Sequence, residues 1–340
     1  MPRQLTFVLL VFSSLLVGVD QSLADDAEWD LSGNISLQLR GFSQDALWPE
    51  QNSSDAEVSV SGEWEVRWRS AEGNQRASFI PFARWDENDD ERSHLDLREA
   101  YWAYEGEEVE LLVGINKVFW GVTESVHLVD IINQTDLVED MDGEDKLGLP
   151  MVNLGLQQDW GNLNLFVMPY FRERSFIGRA GRLRGGKIVD DSQVSYDSGA
   201  EEFHPDVAIR YSTVIDDFDI GISHFHGTSR EATFIPSSDN GDDEVFAVHY
   251  DQIDQTGLDL QATLGDWLWK LEAMSRSGHG DRFYAAVFGF EYTAYGVMES
   301  DADLGLLAEY QYDGRDADAP GTLADNDVFV GARLTLNDAD

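Results

Sequence analysis

The stretch EVSVSGEWEVRWR, residues 57–69, alternates with a period of two. Val58, Val60, Trp64, Val66 and Trp68 occupy one set of alternate positions, and serine, glutamate and arginine residues occupy the other. Successive side chains of an extended strand point to opposite faces, so one face would be apolar and the other charged. A helix would mix the two sets, which argues against a helix here. The stretch therefore predicts a β-strand whose faces differ in polarity.

The same alternation recurs along the chain from Gly33 onward. Short turns such as EGEE and LGDW alternate with long polar stretches such as residues 44–56 and 172–205. Strands of about ten residues, with short turns on one side and long loops on the other, are typical of outer-membrane β-barrels. The pattern predicts about fourteen strands, at residues 33–42, 57–69, 76–86, 94–105, 109–116, 151–158, 163–171, 206–214, 217–227, 252–264, 267–276, 282–293, 302–313 and 327–336.

The expected fold is therefore all-β, an antiparallel transmembrane β-barrel. A soluble β-sandwich would alternate too, but its apolar face would be its core. Here aromatic residues such as Trp85 and Trp160 stand near strand ends, as in the interfacial girdles of membrane barrels. Charged residues on the opposite strand face would line a wet lumen, among them Arg84, Arg98, Lys270, Glu272 and Glu309.

The N-terminal region has Arg3, an apolar run over residues 5–17 and a small-residue cleavage site at residues 22–24. This pattern predicts a signal peptide over residues 1–24. Residues 25–340 would form one barrel domain in the outer membrane. The last predicted strand returns to the periplasmic side and lacks a terminal aromatic residue, so we expect either a missing C-terminal hairpin, giving sixteen strands, or closure at fourteen.

Composition excludes several functions. The chain has 65 acidic and 23 basic residues, for a net charge of −42, and nucleic acid needs a basic face instead. It has no cysteine, which excludes disulfides and thiol chemistry. We find no catalytic motif and predict no enzyme activity and no cofactor, although residues from different strands could still form an active site.

Several motifs resemble those of known proteins: LDLREAYWAY (95–104), VGINKVFWG (113–121), DIINQTD (130–136) and QTGLDLQATLGDWLWKLEAMSRSG (255–278). They are similar to porin-like outer-membrane proteins of Gram-negative bacteria, an uncharacterised porin-like group loosely related to alginate-export and phosphate-selective porins. Asn133 is followed by Gln134 where that pattern has proline. The resemblance implies contact with outer-membrane lipid, lipopolysaccharide, small solutes and the barrel assembly machinery, and it leaves a homo-oligomer open.

The segment after the fifth predicted strand is apolar but does not alternate. We expect residues 117–137 to fold into the lumen as a constriction, with a short helix over SVHLVDIINQ (125–134) and a sharp turn at Gly121. The alternatives are packing on the outer rim or over a neighbouring protomer. The candidate constriction residues are Lys117, Trp120, Gly121, Glu124, Asp130 and Asn133.

A second candidate is a basic cluster within RERSFIGRAGRLRGGK. Clustered arginines in a pore attract anions, but this cluster could equally neutralise acidic neighbours or bind lipopolysaccharide phosphates. Its members are Arg172, Arg174, Arg179, Arg182, Arg184 and Lys187.

We predict no metal site. Asp140, Asp142 and Asp145 depart from the spacing of a calcium loop, and His224 with His226 has no third ligand in sight. The expected function is passive diffusion of small charged solutes. The alternatives are a non-conducting structural or adhesion barrel and an outer-membrane barrel enzyme.

Overall fold

The structure is a computed structural model of the 340-residue chain. It describes residues 13–14, 19–20, 27–139, 143–239, 243–297, 300–317, 319–322 and 325–337. The predicted signal peptide lies outside the described residues apart from Ser13–Ser14 and Val19–Asp20. Asp140 and Asp142 lie outside them too. Among the described residues, no helix has the length and apolar character needed to cross a membrane.

We number the strands from residue 28 onward in chain order. They are β1 Glu28–Gly41, β2 Ala56–Arg69, β3 Gln75–Asp86, β4 Leu95–Glu105, β5 Val109–Asn116, β6 Leu149–Gln158, β7 Gly161–Met168, β8 Ile188–Tyr196, β9 Asp206–Ile215, β10 Phe218–Thr228, β11 Thr233–Asp239, β12 Asp243–Tyr250, β13 Gln252–Leu264, β14 Trp267–Gly278, β15 Gly280–Ala294, β16 Asp303–Asp313 and β17 Asp327–Thr335. A single turn of 3-10 helix spans Glu201–Phe203 in the described part of the chain.

Fourteen of these strands form one antiparallel sheet, in the order β1-β2-β3-β4-β5-β6-β7-β9-β10-β13-β14-β15-β16-β17 across the described residues. Each strand pairs with its neighbours along the chain, apart from the two places where the extra strands intervene. The predicted all-β antiparallel fold is confirmed. Within the described residues β1 and β17 are not paired with each other, and the free side of β1 pairs with the two short segments at 13–14 and 19–20.

The two faces of the sheet have opposite polarity. On the outer face apolar side chains are exposed, such as Leu37 and Trp64, at 41% and 48%. On the inner face polar side chains are buried, such as Glu272 and Glu309, at 0% and 1%. A water-soluble sheet has the reverse arrangement, because apolar area is stabilised by leaving water. An exposed apolar band over a polar interior is the arrangement of a membrane barrel.

The two ends of the barrel differ. At one end the strands join through short turns, at 70–74, 106–108, 159–160, 216–217 and 265–266. Aromatic pairs stand near this short-turn end, including Trp160 stacked on Tyr211 and Trp267 stacked on Trp269, with ring centroids 5.8 Å apart in both pairs. The long loops leave from the other end, which suits the loop asymmetry of an outer-membrane barrel.

Strands β8, β11 and β12 form a separate three-stranded sheet within the long loops. Its strands β8 and β12 run parallel, and β11 and β12 run antiparallel. Phe171, Phe176, Val248 and Tyr250 pack as a small apolar core beneath it. The sequence did not predict this sheet, because its strands fall within stretches that are mostly polar.

Candidate pore-constriction site

Residues 117–139 and 143–148, between β5 and β6, form what we call the inner loop. It lies against the inner face of the sheet and contacts strands on opposite sides of it. Arg84 Nη2 of β3 lies 2.7 Å from Glu139 Oε2, and Arg333 Nη2 of β17 lies 4.0 Å from Glu124 Oε2. The sheet therefore curls around this loop.

The expected helix over residues 125–134 is wrong, because that segment forms only turns and bends. A helix is absent here because the backbone amides have other hydrogen-bond acceptors. A helix directs each amide to the carbonyl four residues earlier, whereas here amides before and within the segment donate to two wall glutamates. Gly121 does not have a positive φ angle, so the expected sharp turn does not explain the glycine. A Cβ there would lie 3.0 Å from His127 Nδ1 and 3.2 Å from Glu272 Oε1, so lack of space favours glycine, not a special turn.

Asn133 joins the two ends of the inner loop. It is buried, and its side-chain oxygen accepts from Val118 N at 2.8 Å. Its amide donates to Asn116 O and to Leu147 O, both at 2.9 Å. Three hydrogen bonds from one buried side chain hold the exit from β5 beside the entry to β6, and their loss would leave buried groups unpaired.

One side of the inner loop is apolar and packs on the wall. Trp120, Val129, Ile131 and Ile132 are all buried within one cluster. The wall contributes inner-face side chains from β4 to β13 to this cluster, including Phe166, whose ring meets that of Trp120 edge-on at 5.5 Å. Arg210 lies over the other part of the Trp120 ring at 5.1 Å. The apolar sequence of the loop is therefore matched by an apolar patch in the wall.

Glu272 of β14 holds the other side of the inner loop. Its Oε1 accepts from Val122 N at 2.7 Å, Thr123 N at 3.0 Å and Thr123 Oγ1 at 2.8 Å. Its Oε2 accepts from Val129 N at 3.2 Å. A carboxylate is an acceptor at both oxygens, so it suits a set of converging amide donors.

Glu309 of β16 acts in the same way one step further along the loop. Its oxygens accept from Glu124 N at 2.9 Å and Ser125 N at 2.8 Å, and the Ser125 hydroxyl donates to it as well. Lys270 adds an ion pair, with its ammonium nitrogen 2.8 Å from Glu124 Oε1 and also bound to Glu291. The pairing with Lys270 lowers the pKa of Glu124.

The far end of the inner loop is fixed to β3 and β4 by ion pairs. Arg84 binds both oxygens of Glu139 at 2.7 Å, and Arg98 Nη1 donates to Asp136 Oδ2 at 2.9 Å. Burial opposes ionisation of Asp136, but His94, Ser175 and Arg98 outweigh it and lower its pKa to about 2. Burial likewise opposes the charged form of His94, but Asp136 and Glu139 outweigh it and raise its pKa.

His94, Asp136 and Glu139 bring three possible metal-ligand atoms together. Both carboxylates, however, already accept charge-assisted hydrogen bonds from arginines. A divalent cation there would meet two guanidinium charges at close range, so this group is better suited to ion pairing than to metal binding.

Arg230 is a further anchor that the sequence analysis did not identify. It is buried, donates to Ile132 O at 2.9 Å and pairs with Asp206 Oδ2 at 2.6 Å. Its guanidinium also lies over the rings of Phe171 and Phe225, at 5.2 and 5.1 Å. It links the inner loop to the strand β9 and to the core beneath the three-stranded sheet.

The remaining constriction candidates lie at the loop's rim and base. Asp130 accepts from Trp120 N at 3.2 Å and lies 3.0 Å from Lys146 Nζ, and burial raises its pKa. Lys117 is exposed at the start of the loop. Of the six candidates, Trp120, Gly121, Glu124, Asp130 and Asn133 thus contact the wall or the rest of the loop.

The basic cluster divides into two groups. Arg172 and Arg174 reach the inner loop: Arg172 Nη1 donates to Gly148 O at 2.9 Å, and Arg174 Nε donates to Gln134 Oε1 at 3.1 Å. Arg172 Nη1 also donates to Asp96 Oδ1 of β4 at 2.7 Å. Burial lowers the pKa of Arg174.

The rest of the cluster lies against the loop between β1 and β2. Arg182 donates to Asn52 O at 3.0 Å and Gln44 O at 2.6 Å, and Arg184 donates to Arg179 O at 2.7 Å. Arg179 Nη1 lies 3.5 Å from Glu50 Oε2, and Lys187 is exposed. These groups hold loop carbonyls and do not form a ring.

Three cavities open toward the short-turn end, and inner-loop residues line two of them. One of 440 Å³ is lined by inner-face residues of β1 to β4, including Arg76 and Glu99. Another of 540 Å³ is lined by Arg210, Asp219 and Asp259 among others. The third, of 370 Å³, lies between Glu124 and the strands β15 to β17. Their linings are mixed polar and apolar, with charged groups in each.

No family model matches this chain, and no curated protein sequence matches it either. Among solved structures it is similar to the high-pH structure of Pseudomonas putida OprB, with a TM-score of 0.43 and 9% sequence identity. The match covers 91% of this chain and 84% of that chain. Similarity at this level does not identify a family, so the function is argued from the geometry of the chain itself.

Proposed function

We propose that this chain is an outer-membrane channel for passive diffusion of small charged solutes, and that the inner loop sets its size limit. The observation that carries the proposal is the polarity of the barrel. An apolar outer band encloses a polar interior, and one anchored loop crosses that interior beside open cavities. A barrel of this kind would contact lipid and lipopolysaccharide on its outer face.

The anchoring of the loop supports a constriction in one fixed position. Glu272 and Glu309 bind it from β14 and β16, while Arg84 and Arg98 bind it from β3 and β4. A segment held from both sides has few ways to move aside. It would therefore narrow the path for every solute, and the narrowest part of a pore dominates its resistance.

The charges around two of the three cavities favour cations, whereas the first cavity is balanced, with Glu28, Asp30 and Glu99 against Arg67, Arg69 and Arg76. Asp159, Asp219 and Asp259 line the second cavity against Arg210 alone, and Glu124, Glu291 and Asp303 line the third against Arg333. Fixed negative charge concentrates cations locally. Arg182 and Arg184, by contrast, donate to loop carbonyls. We therefore propose a cation preference despite the basic cluster.

Planar-bilayer recording tests the proposal. The purified chain should pass current, and its reversal potential under a salt gradient should indicate cation preference. Replacing residues 121–136 by a short glycine-serine linker should raise single-channel conductance. Heat-modifiable gel mobility checks that the barrel still folds. A folded chain that passes no current, with or without the linker, would contradict the channel and leave the structural barrel.

The non-conducting alternative has an observation in its favour, namely the density of bonds between the loop and the wall. A conducting wild-type chain excludes it.

A further inference from the structure

Three segments of the chain meet beside the three-stranded sheet, at the long-loop end. Asp197 follows β8, His249 and Asp251 lie at the end of β12, and His279 forms the turn between β14 and β15. The parallel register of β8 and β12 sets Ser195 opposite His249. These residues lie outside the inner loop and the basic cluster.

The distances within this group are unusual for hydrogen bonds. His249 Nε2 lies 3.4 Å from Asp197 Oδ1 and 3.6 Å from Asp251 Oδ1. One ligand atom from each of the three residues lies within 4.8 Å of the others. Hydrogen bonds of this type are about 2.7–3.2 Å long. Two ligands of a tetrahedral zinc ion, with bonds of about 2.0–2.1 Å, are roughly 3.3 Å apart. The spacing fits metal ligands better than it fits hydrogen-bond partners.

The other atom of each group already has a partner, which orients the free one. Ser195 Oγ donates to Val248 O at 3.3 Å, so at 2.9 Å it accepts from His249 Nδ1–H and leaves the lone pair on Nε2. Asp197 Oδ2 accepts from Gln252 N at 3.1 Å, and Asp251 Oδ2 from Thr233 Oγ1 at 2.7 Å. Outer partners of this kind fix the orientation of metal ligands in known sites.

His279 is an independent observation. Its side chain is fully buried, and among the described residues neither of its ring nitrogens has a hydrogen-bond partner. Its Nε2 lies 3.6 Å from Asp251 Oδ2. A buried polar ring without a partner is costly and needs an explanation. A cation bound by Asp251 would provide one once the ring moves toward it, because His279 is not one of the three residues whose ligand atoms lie within 4.8 Å of one another.

We propose that Asp197, His249 and Asp251 bind one divalent transition-metal cation, and that the His279 ring moves toward the bound ion to become a fourth ligand. Two imidazoles and two carboxylates suit zinc, whereas calcium and magnesium prefer oxygen ligands throughout. The ion would join the three-stranded sheet to the β14–β15 turn of the barrel and so stabilise the outer loops. It would be a structural metal ion and not part of the solute path.

The experiment uses the purified full chain in detergent, stripped with a chelator and then dialysed against zinc chloride. We expect one zinc per chain by elemental analysis, a higher melting temperature, and tetrahedral absorption bands when cobalt replaces zinc. His249→Gln and Asp197→Asn should each weaken binding by roughly 100-fold or more. Asp197 is half exposed, so its variant should fold normally.

The matched control is His224→Gln with His226→Gln. Both side chains are exposed on the outer face beside Asp254, and they should leave zinc binding unchanged. Zinc retained equally by the folded Asp197→Asn chain, zinc lost only in the control, or displacement by equimolar calcium would each overturn the proposal. So would a wild-type chain that retains no zinc.

Discussion

Replacing Glu272 by glutamine should loosen the inner loop without removing it. The change keeps the side-chain shape but turns one accepting oxygen into a donating NH₂ group. If Oε1 keeps its place, the NH₂ group faces Val129 N–H, which now lies 3.2 Å from Oε2. The three donors from Val122 and Thr123 would then meet a neutral oxygen in place of a charged one.

The magnitude follows from these four hydrogen bonds. A hydrogen bond to a charged group contributes about 1.5–3 kcal/mol, and a neutral one about 0.5–1.5 kcal/mol. Weakening three bonds and losing one therefore costs the anchored state several kcal/mol. Part of this is offset because neutral glutamine is easier to bury. We expect a net loss of about 3 kcal/mol, which shifts the equilibrium between anchored and displaced loop by a factor of roughly 100.

Single-channel recording measures this shift directly. The Glu272→Gln chain should show more frequent current fluctuations and a higher mean conductance than wild type. Adding Glu309→Gln should increase both effects, because it weakens the second set of amide contacts. The heights of the fluctuations should match those seen when residues 121–136 are replaced by the linker.

The matched control is Glu99→Gln. Glu99 lines the cavity near β4 and accepts from Ser78 Oγ at 2.8 Å. Its replacement removes the same charge as Glu272→Gln, but at a side chain that lines a cavity without inner-loop residues. Its conductance trace should stay steady. Equal fluctuations in both variants would show that charge, and not anchoring, is responsible. A Glu272→Gln chain whose current trace is as steady as that of the wild type would refute the role of Glu272 in anchoring the loop.

Three more predictions follow from the contacts. Asp136 stabilises the folded chain above its unfolded pKa of 3.8, and this stabilisation is lost as pH falls toward its folded pKa of about 2. His94 stabilises the folded chain below its unfolded pKa of 6.5, and this stabilisation is lost as pH rises through its raised folded pKa. Current fluctuations should therefore be fewest between pH 3.8 and pH 6.5. Asn133→Ala removes three buried hydrogen bonds and should lower the free energy of unfolding by about 2–4 kcal/mol in denaturant titration. The control is Asn162→Ala, because Asn162 is an exposed asparagine of β7. Arg182→Gln should lower the melting temperature but leave the reversal potential unchanged; a shift toward cations would place Arg182 on the solute path.

The strands of the barrel were predictable because their alternation is local. The bounds predicted for β5 and β13 match the structure, and the other barrel strands differ by a few residues at their ends. Alternation works here because each strand contacts lipid on one face and a polar interior on the other. The strands β8, β11 and β12 contact neither, so their sequences carry no such signal.

The inner loop was predictable only in part. Its apolar content indicated burial, but the groups that bind its amides lie far along the chain: Val122 contacts Glu272, and Ser125 contacts Glu309. Alternation could assign Glu272 and Glu309 to the inner face, yet it could not show which of many inner carboxylates would meet a loop. The same limit hid the group around His249, whose members come from three separate segments.

The apolar side and the polar side of the inner loop each meet a part of the wall with matching chemistry. The wall from β4 to β13 is apolar where Trp120, Val129 and Ile132 pack, and it is acidic at β14 and β16 where the loop turns its amides outward. Apolar packing has little directional preference and would tolerate several positions of the loop. The carboxylates do not, because each must meet its amides at hydrogen-bonding distance. Apolar contact therefore holds the loop against the wall, whereas Glu272 and Glu309 fix its position, and it is the position that would determine the width of a channel.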